Sequence, residues 1–133
     1  MEGDYLAVFG SQYSFPSSST TYISIYDISS RTDPLLLRKF KLEGGYFNGR
    51  KMANGFIYIL TIESIFKRES PAPFLFDGSQ QVHSTLSQIF LYKGKYNQPV
   101  YVNIFAFDLR EAAKGQYGFI SLITEQAHEI YMS

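Results

Sequence analysis

Apolar positions along this chain fall in short runs broken by turn residues, and no long stretch repeats at the spacing of an amphipathic helix. Residues 5–9 (YLAVF) predict a strand, and the Ser-rich stretch 11–21 with Pro16 predicts an exposed loop. In residues 21–28 (TYISIYDI), Ile23 and Ile25 share one face and Tyr22, Ser24, Tyr26 and Ile28 the other, so a strand that needs cover on both faces is expected. The cluster 29–34 (SSRTDP) ends it, because small polar side chains bond the local backbone and Pro34 holds Asp33 extended. Residues 35–42 (LLLRKFKL) then read as an outer strand, with Arg38, Lys39 and Lys41 as the charges that guard an exposed sheet edge.

Glu43-Gly44-Gly45 breaks the chain. Residues 46–52 and 56–62 follow, joined through Ala53-Asn54-Gly55, and Asn-Gly between β-rich runs predicts an antiparallel hairpin. Residues 63–98, with Pro71, Pro73, Asp77-Gly78 and a short strand at 88–92, read as a long irregular connection of the kind that is either functional or mobile. The run 100–109 (VYVNIFAFDL) is a strand apolar on both faces. After it, Asp108 as cap and Gly115 as stop allow one helical turn over 110–115. Residues 117–124 and 129–133 complete the strands. The expectation is an all-β fold with antiparallel pairing, no parallel sheet and no longer helix.

Composition narrows the function classes. The 133 residues suit one domain, and 45% hydrophobic content supplies a core. Twelve basic against twelve acidic residues leave no electrostatic footprint for a nucleic-acid partner. The absence of Cys removes disulfides, thiolate metal sites and cysteine nucleophiles. No apolar run reaches the length of a spanning helix, and Met1-Glu2-Gly3-Asp4 does not open a signal peptide.

The chain also repeats itself. Superposing Asp27 on Asp108 aligns Ile23 with Ile104, Tyr26 with Phe107 and Ile28 with Leu109. Short strands at a repeated spacing, apolar on both faces, fit sheets stacked around a propeller axis better than a β-sandwich, whose outer faces meet water. The string Ile25-Tyr26-Asp27-Ile28-Ser29 with Asp33-Pro34, then Leu36 to Phe40, Gly45-Tyr46, Arg50-Lys51, Ile57-Tyr58 and the closing Ile130-Tyr131-Met132-Ser133, resembles the secreted C-terminal β-propeller domain family of archaea and some bacteria, distantly WD-like. The resemblance implies four-stranded antiparallel blades in an incomplete ring. One unit of about two blades is expected: a partial blade over 1–45, a full blade over 46–124 with an insertion at 63–99, and the inner strand of a third at 125–133. It further implies an extracellular or cell-surface location, and it carries over no particular enzymatic activity. Uncovered blade faces imply self-association, or cover by the remainder of a longer propeller chain.

No catalytic constellation emerges from the residues. His83 and His128 show no metal-ligand spacing, no GxSxG elbow surrounds any Ser, and the glycines form no phosphate loop, so no metal site and no cofactor are expected. Asp27, Asp108, Asp33 and Asp77 precede turns and are expected to stabilise them. Arg50, on an innermost strand, is a candidate to grip an anion from a central channel, against structural pairing with Glu43, Asp108 or a backbone carbonyl. Phe74, Phe76, His83, Phe90 and Tyr92 in the insertion are candidates for a recognition surface, against a role in pinning the insertion to a blade. The leading expectation is a noncatalytic interaction or scaffold module with a protein or glycan partner. The alternative is part of a propeller hydrolase for glycans or peptides, which would need acidic residues from several strands to converge in one pocket.

Overall fold

A computed structural model describes residues 3–14, 18–67 and 72–126. Its elements are strands β1 (Tyr5–Ser14), β2 (Ser18–Asp27), β3 (Leu35–Glu43), β4 (Gly45–Lys51), β5 (Phe56–Ser64), β6 (Phe74–Asp77), β7 (Gln80–His83), β8 (Ile89–Leu91), β9 (Pro99–Asp108) and β10 (Gly118–Glu125), with one short helix, α1 (Leu109–Ala113). They form two five-stranded sheets, ordered β1-β2-β3-β6-β7 and β4-β5-β9-β10-β8. The strand-only architecture with incomplete rather than closed blades agrees with the pattern in the sequence.

Each sheet has five strands, one beyond the expected four-stranded plan, and the insertion supplies two of the first sheet's strands and one of the second's. The β6–β7 hairpin adds to β3, with Phe40 opposite Asp77 and Leu42 opposite Leu75. Further along, β8 adds to β10 through the pairs Ser121–Ile89 to Ile123–Leu91. That last pairing is parallel, against the expectation of antiparallel pairing throughout; every other strand pair is antiparallel. A segment that reaches an edge from a distant part of the chain is free to enter in either direction, whereas a tight hairpin enforces the antiparallel one. The insertion is therefore largely built into the sheets, and β3 is an interior strand, not an edge. Its lysines meet aromatic neighbours: Lys39 Nζ lies 5.5 Å from the Tyr22 ring centre and Lys41 Nζ 5.5 Å from that of Phe76.

The Ser-rich stretch expected to be a loop is strand on both sides of residues 15–17. Ser11 pairs with Thr21, Gln12 with Thr20 and Tyr13 with Ser19. Backbone ladder bonds and the continuing register from Tyr5–Asp27 outweigh the weak strand preference of serine. The Asn-Gly hairpin holds: Gly55 N donates to Met52 O (3.0 Å), Met52 N to Phe56 O (2.8 Å), and Gly55 takes φ +88°. The single helical turn also forms where expected, with Gly115 at φ +87° closing it. Residues 127–133, including the expected strand at 129–133 and His128, lie outside the described residues.

The sheets stack face to face over one apolar core. Ile23 and Ile25 of β2, Phe40 and Leu42 of β3, Ile57 and Ile59 of β5, Leu75 of β6, Phe105 and Phe107 of β9 and Phe119 of β10 fill it, and α1 plugs one end with Leu109 and Ala112. Ring packing is close: Phe105 and Phe119 stack at 4.6 Å, and Phe40 meets Phe107 at 5.1 Å. The opposite face of the second sheet carries a second cluster, Leu60, Val100 and Val102, with Tyr58, Ile62, Ile104 and Leu122 around it. Strands β5 and β9 are thus apolar on both faces, which is why their sequence shows continuous rather than alternating hydrophobicity.

Within the first sheet, between β3 and β6, Arg38 Nε and Nη2 donate to the two carboxylate oxygens of Asp77 (2.6 and 2.5 Å). Asp77 was expected to stabilise its own Asp-Gly turn. In the fold its side chain is 9% exposed and serves as the cross-strand partner that ties the inserted hairpin to β3. The carboxylate raises the Arg38 pKa above its ordinary value.

Candidate cleft at the sheet crossing

The chain passes from the first sheet to the second through a single residue, Gly44, at φ +91°. A Cβ there would lie 2.8 Å from the Ile62 carbonyl oxygen and 2.9 Å from Thr61 Oγ1, so only glycine fits both the turn and the space. Around it the interior changes from apolar to polar. The Thr21 hydroxyl donates to Gly44 O (3.0 Å), the Thr61 hydroxyl to Glu43 O (2.5 Å), and Gly44 N to Ser19 O (3.1 Å). Behind them the Asn103 amide donates to Thr61 Oγ1 (3.3 Å) and accepts from the Ser121 hydroxyl (2.7 Å). Thr21, Thr61, Asn103 and Ser121 are fully buried, and each is bonded, which removes most of the penalty of burying them.

From this crossing β4 leads into a cleft of about 710 Å³ whose lining joins Tyr46, Phe47 and Phe66 with Gln98, Pro99 and Gln126, and includes Ile62, Ser64 and Val100. The register slips between Tyr46 and Asn48 against β5, a bulge that re-aims the side chains beside it. Tyr46 is held on three sides. Its ring stacks on Phe9 at 5.3 Å, its backbone N–H donates to Ser11 Oγ (3.2 Å), and its hydroxyl lies so close over Gly49 that a Cβ there would come within 3.0 Å. The facing wall is fixed by one carboxylate: Glu125 Oε2 and Oε1 accept the successive N–H groups of Asn97 (2.8 Å) and Gln98 (2.9 Å). Among the described lining residues none is charged at neutral pH; rings, two primary amides and the hydroxyls of Tyr46 and Ser64 are what the cleft offers. Such a set can stack on apolar ligand faces and bond neutral polar groups, and it holds no acid, base or nucleophile pair.

The six residues singled out from the sequence lie elsewhere, in three groups. Phe74, Phe76 and His83 come together on the β6–β7 hairpin, with ring centres 5.8 Å apart for Phe74–Phe76 and for Phe74–His83. Arg50 sits exposed on β4 opposite Tyr58. Phe90 and Tyr92 stand at the far edge of the second sheet, 52% and 65% exposed. Tyr46, Phe66, Gln98 and Gln126 were missed as site residues. Only the Gly45-Tyr46 step was visible in the sequence, since the bulge and the facing wall depend on pairing partners far along the chain.

The repeated aspartates act as turn anchors. Asp27 Oδ1 accepts from Ser29 N (2.8 Å), and Asp108 Oδ1 accepts from Arg110 N (2.9 Å) and Glu111 N (3.4 Å) at the start of α1. The Ser29 backbone N–H, and then its hydroxyl, hold the Asp27 carboxyl below its ordinary pKa. These two carboxylates occupy the same place in successive units, one on β2 and one on β9, and each does the same local work. No curated protein and no solved structure matches the chain. A family model, the Beta propeller domain, matches residues 1–133. With paired sheets, doubly apolar strands and a match over its whole length, the chain belongs to the Beta propeller domain family.

Proposed function

We propose that this propeller domain is a noncatalytic interaction module, extracytoplasmic or at the cell surface, that recognises a neutral glycan or peptide segment in the cleft beside Tyr46. The observation that carries the reading is the preorganised, uncharged lining: an aromatic platform pinned by Phe9 and Ser11 faces an amide wall pinned by Glu125. Rigid walls lower the ordering cost of binding, so modest contacts suffice. The location rests on the family resemblance of the Tyr-Asp-Ile-Ser and Ile-Tyr-Met-Ser strings. Association where the outer face of the second sheet is open at Ile120, 41% exposed, with another copy or with further blades, belongs to the same reading.

A glycan and peptide array, followed by calorimetry on each hit, tests it. Tyr46→Ala is expected to weaken binding at least about tenfold, as loss of a buried aromatic anchor does. A ligand held equally well by Tyr46→Ala and Gln98→Ala variants would place recognition elsewhere, and turnover of any hit would overturn the noncatalytic assignment.

A further inference from the structure

The segment that joins β7 to β9 supplies β8, the edge strand of the second sheet, and carries four exposed large apolar side chains. Leu86 is 91% exposed, Phe90 52%, Leu91 65% and Tyr92 65%. Their backbone is ordered by specific bonds. Thr85 and Gln88 form a reciprocal capping box around the turn that carries Leu86, with Gln88 Oε1 accepting from Thr85 N at 2.8 Å. Strand β8 pairs with β10, and Tyr92 N donates to Ile123 O (3.1 Å). Exposure of four large apolar side chains within this span is therefore imposed by the fold.

Within the segment itself the charged residues are all basic. Lys93 and Lys95 follow directly and are exposed, and the sequence has no Asp or Glu between Asp77 and Asp108. The carboxylate that approaches from β10, Glu125, is bonded to the Asn97 and Gln98 N–H groups. Apolar and aromatic tips beside lysines, with no neighbouring carboxylate in their own segment, are complementary to one surface in particular: the headgroup boundary of an anionic bilayer. There Leu and Phe enter the acyl margin, Tyr sits at headgroup level, and lysine stems lie along the interface with their ammonium groups on lipid phosphates. A protein contact of the same area would gain little from two unpaired cations at its edge.

We propose that the Leu86 to Lys95 rim of this domain is a peripheral docking site for anionic membranes. The site is separate from the cleft and does not depend on the reading given to it. Because the chain contains no Trp, a Phe90→Trp variant provides a single reporter. The test is co-sedimentation with vesicles of phosphatidylcholine alone and of phosphatidylcholine with phosphatidylglycerol, together with the emission of the reporter and its quenching by bromine-labelled acyl chains.

The expected result is binding to the phosphatidylglycerol vesicles with a blue shift and quenching. Lys93→Gln with Lys95→Gln should weaken binding by about tenfold or more, at roughly fivefold per lysine. Leu91→Ser with Tyr92→Ser should abolish quenching while circular dichroism stays unchanged. Absence of sedimentation with either vesicle overturns the proposal, as does binding that ignores both pairs of substitutions. Concentration-dependent dimers that Leu91→Ser dissolves, without vesicle binding, would make the rim a contact between copies and overturn it equally. A variant that loses its circular dichroism is replaced by Leu86→Ser, whose side chain has almost no contacts to lose.

Discussion

Replacing Gly44 by Ala probes the crossing on which both the stacking of the sheets and the cleft depend. Two costs add at this position. The backbone is left-handed at φ +91°, which costs a residue with Cβ about 1–2 kcal/mol. The new methyl would also sit 2.8 Å from the Ile62 carbonyl oxygen and 2.9 Å from Thr61 Oγ1. Neither neighbour can retreat freely, because Ile62 is in the β4–β5 ladder and Thr61 Oγ1 donates to Glu43 O. Overpacking of that kind costs about 1–3 kcal/mol.

Gly55 supplies the control. It takes nearly the same φ, +88°, but a Cβ there meets nothing within 4 Å. Gly55→Ala should therefore lose only the backbone part, about 1–2 kcal/mol, and Gly44→Ala about 2–5 kcal/mol. Urea unfolding followed by circular dichroism measures both as shifts in midpoint at constant slope. Equal losses in the two variants would show that the crossing has room for a side chain and would refute the steric argument. The same comparison reports on the polar seam, since a Thr61 side chain pushed aside loses its bonds to Glu43 and Asn103.

Arg38→Met should cost about 2 kcal/mol, a value reduced from that of a buried pair because water reaches the guanidinium, and Arg38→Met with Asp77→Leu should recover much of it; a double variant as unstable as the single would argue against a stranded carboxylate. Burial, and then the Asp77 charge, raise the Tyr117 phenol above its ordinary value of 10.0, so as pH climbs past that value the unfolded chain releases this proton before the folded one. Stability should fall there, and Tyr117→Phe should make the fall shallower in thermal melts across the alkaline range. Asp108→Ala should cost about 1 kcal/mol through loss of the α1 cap, read by thermal unfolding. Solution mass from light scattering should rise with concentration and rise less in an Ile120→Lys variant; a concentration-independent monomer would mean that the outer face of the second sheet needs no cover.

Local signals were legible in the sequence because their physics is local. Short runs rich in apolar, aromatic and β-branched residues marked β2, β5, β9 and β10, Asn54-Gly55 marked the hairpin, and Asp108 with Gly115 bracketed α1, each requiring only neighbours a few positions away. The doubly apolar runs also carried the stacking of sheets, since a strand hydrophobic on both faces must be covered twice. What tertiary structure alone decided is which distant edges the insertion joins. The four-residue strands β6 and β7 have too few positions to display a period and take their identity from pairing with β3 and with each other, while β8, expected as a short strand at 88–92, owes to β10 only its place and parallel direction. The serine strand, the reassignment of Asp77 from turn to ion pair, and the cleft whose lining comes from β4 and from one end of the β9–β10 pair follow from the same cause. Hydrogen bonds between segments far apart in the chain leave no mark in the spacing of residues along it.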